Sequence, residues 1–505
     1  MRIRTLATAV VCAGALLAGT GCDGGGTATG DGAAGTARPD AATASPAGAG
    51  SASAKKRAAL GDFDGDGYRD LAVSGWRKPR TGADWTRYRA AVPGSADGVR
   101  PEKSAPLRPL SRDTAEKDRS GEAPWADDAS DRLQGDLDRD GYADLVVPRG
   151  PKGGSGERTS AVSIRWGGPR GLDESQGTAV EGPEPDALGD FDGDGWLDLV
   201  SPSGTVLHGP FARTGTPART SEFDADQGGW GTPRESVAGD FDGDRRTDLV
   251  VLGSFEEEDA DLEDPNAPRL NSAEWFRGTP TGLEEAGPVK SVNVSYTGGA
   301  LDPLPGTTGD FDGDGRDDLV VPDLETRKSL GPGSLTVVYG GERGLGTGRP
   351  ETYVDQDTPG VPGGSQGSDE FGNGAATGDI DGDGHDDLAA PVMGEDQGKG
   401  RLIVMRGGRD GLDPATARRY DIDTPGMPGA SSRWPNPEVV DDYFGWDTQI
   451  ADLDQDGKAE LVTGAPGFRN RKEPAYWVLP GTSDGPTTHG LRHFTLRGNG
   501  TVDGD

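Results

Sequence analysis

Apolar residues in this chain come in short runs set off by acidic stretches. "LVVP" (145–148), "LVVL" (249–252) and "LAAP" (388–391) each follow such a stretch and read as β-strands. A third strand comes after each: "WTRYRAAV", "SAVSIRWG", "TVLHG", "AEWFRG", "SLTVVYG", "RLIVMRG" and "AYWVLPG". Six of these run into a G-x-x-x-G turn, at Gly94/Gly98, Gly167/Gly171, Gly278/Gly282, Gly340/Gly344, Gly407/Gly411 and Gly481/Gly485. A weaker fourth strand then leads to the next acidic stretch, as in "RRYDIDTPG", and "HFTLRG" near the end is a candidate for the last outer strand.

The pattern repeats seven times, with first aspartates at Asp62, Asp136, Asp190, Asp240, Asp310, Asp379 and Asp452. Successive copies lie 50 to 74 residues apart, room for a four-stranded blade of roughly 40–45 residues plus loops. Seven antiparallel sheets leave many edges, and packing them face to face in a ring protects those edges. The expected fold is all-β, a seven-bladed β-propeller over residues 57–505 in which each acidic stretch is the hairpin between a blade's first two strands.

Each loop has nine positions, with carboxylates at 1, 3, 5 and 9. They are Asp62, Asp64, Asp66 and Asp70 in the first copy, and Asp136, Asp138, Asp140 and Asp144 in the second. The third and fourth carry Asp190, Asp192, Asp194 and Asp198, then Asp240, Asp242, Asp244 and Asp248. The fifth and sixth carry Asp310, Asp312, Asp314 and Asp318, then Asp379, Asp381, Asp383 and Asp387. The last has Asp452, Asp454, Asp456 and Glu460. Oxygens at alternate positions converge on a hard cation when the backbone turns sharply, and position 7 adds a main-chain carbonyl. Those carbonyls are assigned to Tyr68, Tyr142, Trp196, Thr247, Arg316, His385 and Lys458. An all-oxygen set suits Ca²⁺ rather than zinc or copper, with up to seven ions expected.

An EF-hand needs Glu at position 12 and flanking helices. Here position 12 is Val73, Val147, Ser201, Val251, Val321, Ala390 or Thr463, which excludes it. Arg245 at position 6 forces a non-glycine residue into a turn conformation that favours glycine, and Glu460 lengthens one ligand arm. The fourth and seventh loops are therefore expected to bind most weakly. Arg139 and Gln455 at position 4 are expected to point outward without harm.

Copy six, "FGNGAATGDIDGDGHDDLAAPVMGEDQGKGRLIVMRGGRDGL", pairs Phe371-Gly372 with its loop and Ala390-Pro391; copy seven pairs Phe444-Gly445 with Gly464-Ala465-Pro466. These residues resemble the FG-GAP (VCBS-like) repeat family, which includes the integrin α-subunit propellers. The earlier copies keep the loop and lose the flanks. The resemblance implies a propeller whose loops are calcium sites and which mediates adhesion or ligand binding.

Of the 505 residues, 85 are glycine and only 32% are hydrophobic; acidic residues number 86 against 51 Lys plus Arg, for a net charge of −35. Glycine is costly inside helices, in keeping with a turn-rich β protein. So negative a chain is a poor partner for nucleic acid or an anionic membrane. The ligand carboxylates are 28 of the 86, and seven Ca²⁺ would bring −35 to −21.

Residues 1–22 read as an export signal: Arg2 and Arg4 precede a short apolar run ending at Cys22. The end resembles a bacterial lipoprotein signal with Cys22 as the lipidated residue, although Gly19 stands where Leu is usual; cleaved secretion is the alternative. Residues 23–56 form a flexible Gly/Ala/Ser/Thr/Pro linker with a reach on the order of 30 Å. The only other cysteine is Cys12, so the mature domain has no internal disulfide. The expected setting is extracellular, at the cell surface or secreted, with membrane contact only through an N-terminal lipid.

Irregular segments at 75–84, 253–272, 430–442 and 467–474 belong to the face opposite the acidic loops, where binding is expected. Trp76, Trp125, Trp230 and Trp434 fall on that face, as a protein- or glycan-binding surface or as loop-packing aromatics. Trp85, Trp166, Trp275 and Trp477 fall in third strands, as blade packing. The expected function is a non-catalytic binding or adhesion module. The alternative is a propeller enzyme acting on polysaccharide (hydrolase or lyase) or ester. The one G-x-S-x-G, at 363–367, lacks the strand-to-helix setting of a nucleophile elbow.

Overall fold

The computed structural model describes residues 61–77, 85–107, 114–115, 133–148, 162–173, 177–225, 232–254, 272–289, 306–323, 331–431, 442–468, 474–497 and 502–504. They form seven antiparallel sheets, with hardly any helix beyond the short turns Pro101–Lys103 and Glu395–Gly398. Blade five is representative. Its strands Thr307–Gly309, Asp318–Asp323, Ser334–Val338 and Thr352–Val354 are hydrogen-bonded in chain order, and the acidic loop joins the first two. The chain is an all-β, seven-bladed propeller.

The second strands explain their composition by burial. All six residues of Asp318–Asp323 and of Asp387–Val392 are buried, because sheets stacked on both sides leave no wet face. Exposure is greatest in the outer strands, such as Asp413–Tyr420, where exposed and half-buried residues dominate.

Seven apolar cores separate the blades, one per junction. An open row of seven sheets would have six; the seventh joins last to first. It unites Leu71, Val73, Ala90 and Val92 of blade one with Leu453, Val462, Val478 and Phe494 of blade seven. Polar contacts tie the same junction. Ser74 N–H donates to Tyr476 Oη at 3.1 Å, and the Tyr476 hydroxyl donates to the Ser74 carbonyl. Gln449 Nε2 donates to the Ala72 carbonyl at 3.2 Å. "HFTL" lies in the fourth strand of blade seven, Arg492–Leu496, and Val502–Gly504 adds a fifth.

The apolar residue at position 2 of each acidic loop has a common task. Phe63, Leu137, Phe191, Phe241, Phe311, Ile380 and Leu453 are all fully buried, and each enters the core shared with the following blade. The loop is thus a rivet between blades as well as a carboxylate cluster.

Candidate metal centres

Within each loop the backbone amides arrange the carboxylates. The first aspartate's Oδ2 accepts the position-6 amide in all seven, at 2.8 to 3.2 Å. The position-5 carboxylate accepts the position-7 amide in all seven, at 2.8 to 3.1 Å. In the fourth loop that amide belongs to Arg246. The seventh-position carbonyl expected from Thr247 is therefore that of Arg246. Thr247 is the eighth residue and works between blades: its N–H donates to the Asp190 carbonyl and its hydroxyl accepts the Asp190 amide, both at 3.0 Å. Asp317 and Asp386 occupy the equivalent place and accept the amides of Asp240 and Asp310.

Both turn positions of the loop are left-handed. Position 6 has φ between 70° and 99°, including 70° at Arg245, and position 4 has φ between 53° and 77°. The expectation that Arg139 points harmlessly outward is corrected. Its φ is 53°, and its guanidinium lies 4.0 Å from the centre of the Trp196 ring in the next loop. Gln455 shares the strained geometry, at φ 60°.

The ninth carboxylate is buried and doubly held. Asp70 accepts from Phe63 N–H at 2.9 Å and from Gly94 N–H at 2.9 Å. The same two bonds recur for Asp144, Asp248, Asp318 and Asp387. The second donor is the glycine that opens the G-x-x-x-G turn, which thus holds the carboxylate as well as turning the chain. Its identity follows from the close approach: a Cβ on Gly94 would lie 2.1 Å from the Arg69 carbonyl, and one on Gly407 2.2 Å from that of Asp386. Glu460 keeps the first bond, from Leu453 N–H at 2.8 Å.

Burial pushes these carboxyls far above their ordinary range. Asp70, Asp248 and Asp387 rise to about 7, and Asp144, Asp318 and Glu460 to about 8, with neighbouring loop carboxylates adding to the effect. Arginines offset part of the charge at position 3. Arg219 pairs with Asp192 at 2.5 Å, Arg277 with Asp242 at 2.7 Å, Arg349 with Asp312 at 3.2 Å and Arg406 with Asp381 at 2.9 Å. Arg213 reaches across from blade three to Asp138 and Asp140.

The clusters fit a hard cation. Asp62, Asp64 and Asp66 bring carboxylate oxygens within 4.8 Å of one another, as do Asp136, Asp138 and Asp144 and the corresponding groups of the third and fourth loops. Several oxygens inside the loops are buried without a hydrogen-bond partner, namely Asp190 Oδ1, Asp381 Oδ1 and Asp452 Oδ1.

A family model described as FG-GAP repeat matches residues 371–405 and 444–476. This chain carries FG-GAP repeats. The two matched stretches are blades six and seven, whose Phe371 and Phe444 are fully buried. The chain matches no curated protein. Among solved structures it is similar to the rhamnogalacturonan lyase of Bacillus licheniformis, at 13% identity and TM-score 0.29 over 88% of this chain and 68% of that one. It is also similar to the V. cholerae biofilm matrix protein Bap1, at 12% identity and TM-score 0.24, covering 75% of this chain and 61% of that one. A third is the intramolecular trans-sialidase from Ruminococcus gnavus, at 13% identity and TM-score 0.23, over 88% and 82%. Likeness this remote carries no activity across.

Of the tryptophans expected to pack blades, Trp166, Trp275 and Trp477 are buried. The side chains of Trp76 and Trp85 lie outside the described residues, as do Trp125, Trp230, Trp434 and Cys22. The 363–367 segment joins two strands: Ser365 N–H donates to Asp357 Oδ1 at 3.1 Å, and no helix follows before Ala376–Gly378.

Proposed function

We propose that this protein is a calcium-stabilised β-propeller, displayed outside the cell, that acts as a non-catalytic binding or adhesion module for a protein or glycan. The observation that carries the metal reading is the set of buried, unpartnered carboxylate oxygens, Asp190 Oδ1, Asp381 Oδ1 and Asp452 Oδ1, inside loops already crowded with negative charge. A desolvated carboxylate oxygen left without a partner of its own is costly, and a cation is the partner that chemistry of this kind takes. The ligands would be the carboxylates at positions 1, 3, 5 and 9 with the position-7 carbonyl, including that of Arg246. Bound calcium would supply positive charge among them and so stabilise the rivets between blades, in a chain without internal disulfides. The loops thereby belong to the scaffold, and the partner is met on the opposite face. An N-terminal lipid at Cys22 followed by a flexible linker would hold the propeller at the surface.

Calcium that binds the folded state alone raises its stability by mass action. Millimolar Ca²⁺ in place of EDTA should raise the melting temperature by about 5 °C or more, given several sites each contributing about 1 kcal/mol or more. An unchanged melting temperature would overturn the metal reading. Function is tested with glycan arrays, cell-wall fractions and chromogenic esters, with and without chelator. Binding without turnover is the expected result. Turnover abolished by replacing a carboxylate on the face opposite the acidic loops would make the protein an enzyme.

A further inference from the structure

The third acidic loop departs from the other six at its ninth carboxylate. In those six, one oxygen of that carboxylate accepts the amide of position 2. In the third loop Asp198 Oδ2 has no hydrogen-bond partner. It faces His208 Nδ1 at 3.3 Å, and the same nitrogen lies 3.4 Å from Asp192 Oδ2. His208 Nδ1 also lacks a properly aligned hydrogen bond. The side chains of His208 and Asp198 are each 1% exposed and that of Asp192 6%. Asp190 Oδ1, in the same loop, is buried and unpartnered as well.

His208 is placed there by the fold. It ends the third strand, Thr205–His208, immediately before Gly209, whose N–H donates to Asp198 Oδ1 at 3.0 Å. Its other ring nitrogen, Nε2, lies 2.7 Å from Ser221 Oγ on the neighbouring strand Arg219–Glu222. With Nε2–H donated to that hydroxyl, Nδ1 turns its lone pair toward the carboxylates. A second group orienting a histidine in this way is the usual support of a metal ligand. Two ligands about 2.1 Å from one ion, at angles of 90–110°, stand about 3.0–3.4 Å apart, and the His208 to Asp198 and Asp192 separations fall in that interval. Blades four and six have Arg277 and Arg406 at the equivalent strand end, paired with Asp242 and Asp381. An arginine there can only act as a fixed cation, whereas imidazole can coordinate one.

We propose that blade three carries a mixed imidazole–carboxylate centre, built from His208 Nδ1 with Asp192, Asp198 and Asp190, that takes a first-row divalent transition ion such as Zn²⁺ in preference to Ca²⁺. Nitrogen in the ligand set favours such an ion over a hard alkaline-earth cation. Arg219, which pairs with Asp192 Oδ2 at 2.5 Å and is 45% exposed, would swing into solvent on binding. The centre does not depend on calcium in the other six loops.

The test is Zn²⁺ titration of the full chain by calorimetry in millimolar Ca²⁺, with Co²⁺ absorption as a spectroscopic readout. One Zn²⁺ per chain should bind despite the calcium. His208→Asn should weaken it more than about 100-fold, and Ser221→Ala by about 10-fold to 100-fold. His208→Arg, which installs the cation of blades four and six, should fold and abolish both Zn²⁺ binding and the visible Co²⁺ bands. No Zn²⁺ bound in calcium, or equal affinity in His208→Asn or His208→Arg, would overturn the proposal and leave His208 an ion-pair partner. Stoichiometric Zn²⁺ with no calcium effect on melting would instead sink the calcium reading and leave this one standing.

Discussion

The two rims of the propeller are held by different physics. On the acidic-loop rim all seven blades rivet a position-2 side chain into the next junction and bond a buried ninth carboxylate to the backbone, through two amides in five blades and through one in blades three and seven. On the opposite rim, among the described residues, a second device stands at the junctions of blades five and six and of blades six and seven. There Phe371 N–H donates to the Pro332 carbonyl at 2.8 Å and Phe444 N–H to that of Lys399 at 3.1 Å, each locking an FG-GAP blade to its predecessor. The cores follow suit. Among the described residues sixteen buried apolar side chains fill the junction of blades six and seven, against seven between blades three and four. Charge and geometry hold one rim everywhere; apolar packing has been concentrated where the FG latch survives.

The largest test sets the rims apart by pH. The ninth-position carboxyls of Asp70, Asp248 and Asp387 sit at about 7, and those of Asp144, Asp318 and Glu460 at about 8, because burial disfavours their charged form. Their folded values exceed the unfolded ones, so the folded state holds these protons more tightly. That contribution is complete below about pH 4 and is lost as pH rises through about 7 to 8. In EDTA, stability should therefore fall between pH 5 and 8, by up to about 1 kcal/mol per pH unit for each group. Calcium should reverse the trend, so the gap between calcium and EDTA melting curves widens with pH. A metal-free melting temperature that stays flat from pH 5 to 8 would show that the loop rim is not governed by buried charge.

The opposite rim should respond to truncation instead. Phe444 is fully buried, edge-on to Trp477 with ring centres 5.4 Å apart. Phe444→Ala should cost about 3–5 kcal/mol in urea unfolding, equally in calcium and in EDTA. A loss that calcium rescues would mean the two rims are one cooperative device. The glycine beneath the latch gives a smaller and cleaner comparison. Gly400 has φ +79°, and a Cβ there would lie 2.3 Å from the Phe444 amide nitrogen; Gly457 has φ +85° and open space around it. Gly457→Ala should cost about 1 kcal/mol for the conformation alone, and Gly400→Ala clearly more. Equal losses would show that the close approach of Phe444 contributes nothing.

What was legible in the sequence was whatever repeats locally. The acidic loops, the strands flanking them and the number of blades all follow from spacing within a copy. What escaped it depends on residues brought together by the ring. Gly94 lies 24 positions from the Asp70 carboxylate it binds, and Ser74 lies 402 positions from the Tyr476 hydroxyl that closes the ring. His208 escaped for the same reason: it stands in a third strand, ten residues beyond the end of the loop it enters, where nothing in "TVLHG" marks it as facing carboxylates. Arg246 is a different case, since its place as the seventh residue from Asp240 is a local feature of the sequence.

The smallest effect is the most diagnostic of how loops touch around the rim. In the loops with glycine at position 4, that residue faces the seventh side chain of the next loop: a Cβ on Gly65 would meet Tyr142 at 2.6 Å, and one on Gly313 would meet His385 at 2.9 Å. Loop two solves the same contact with Arg139, which accepts φ 53° and stacks its guanidinium 4.0 Å from the Trp196 ring centre. Two opposed terms follow. Arg139→Ala keeps the left-handed strain and loses a cation–π contact, so it should destabilise by about 0.5–1 kcal/mol. Arg139→Gly loses the same contact but relieves the strain, a gain of about 1 kcal/mol, and should fall close to the parent. An alanine variant as stable as the glycine variant would show that position 4 carries no backbone strain, and the left-handed geometry shared by all seven loops would then need another cause.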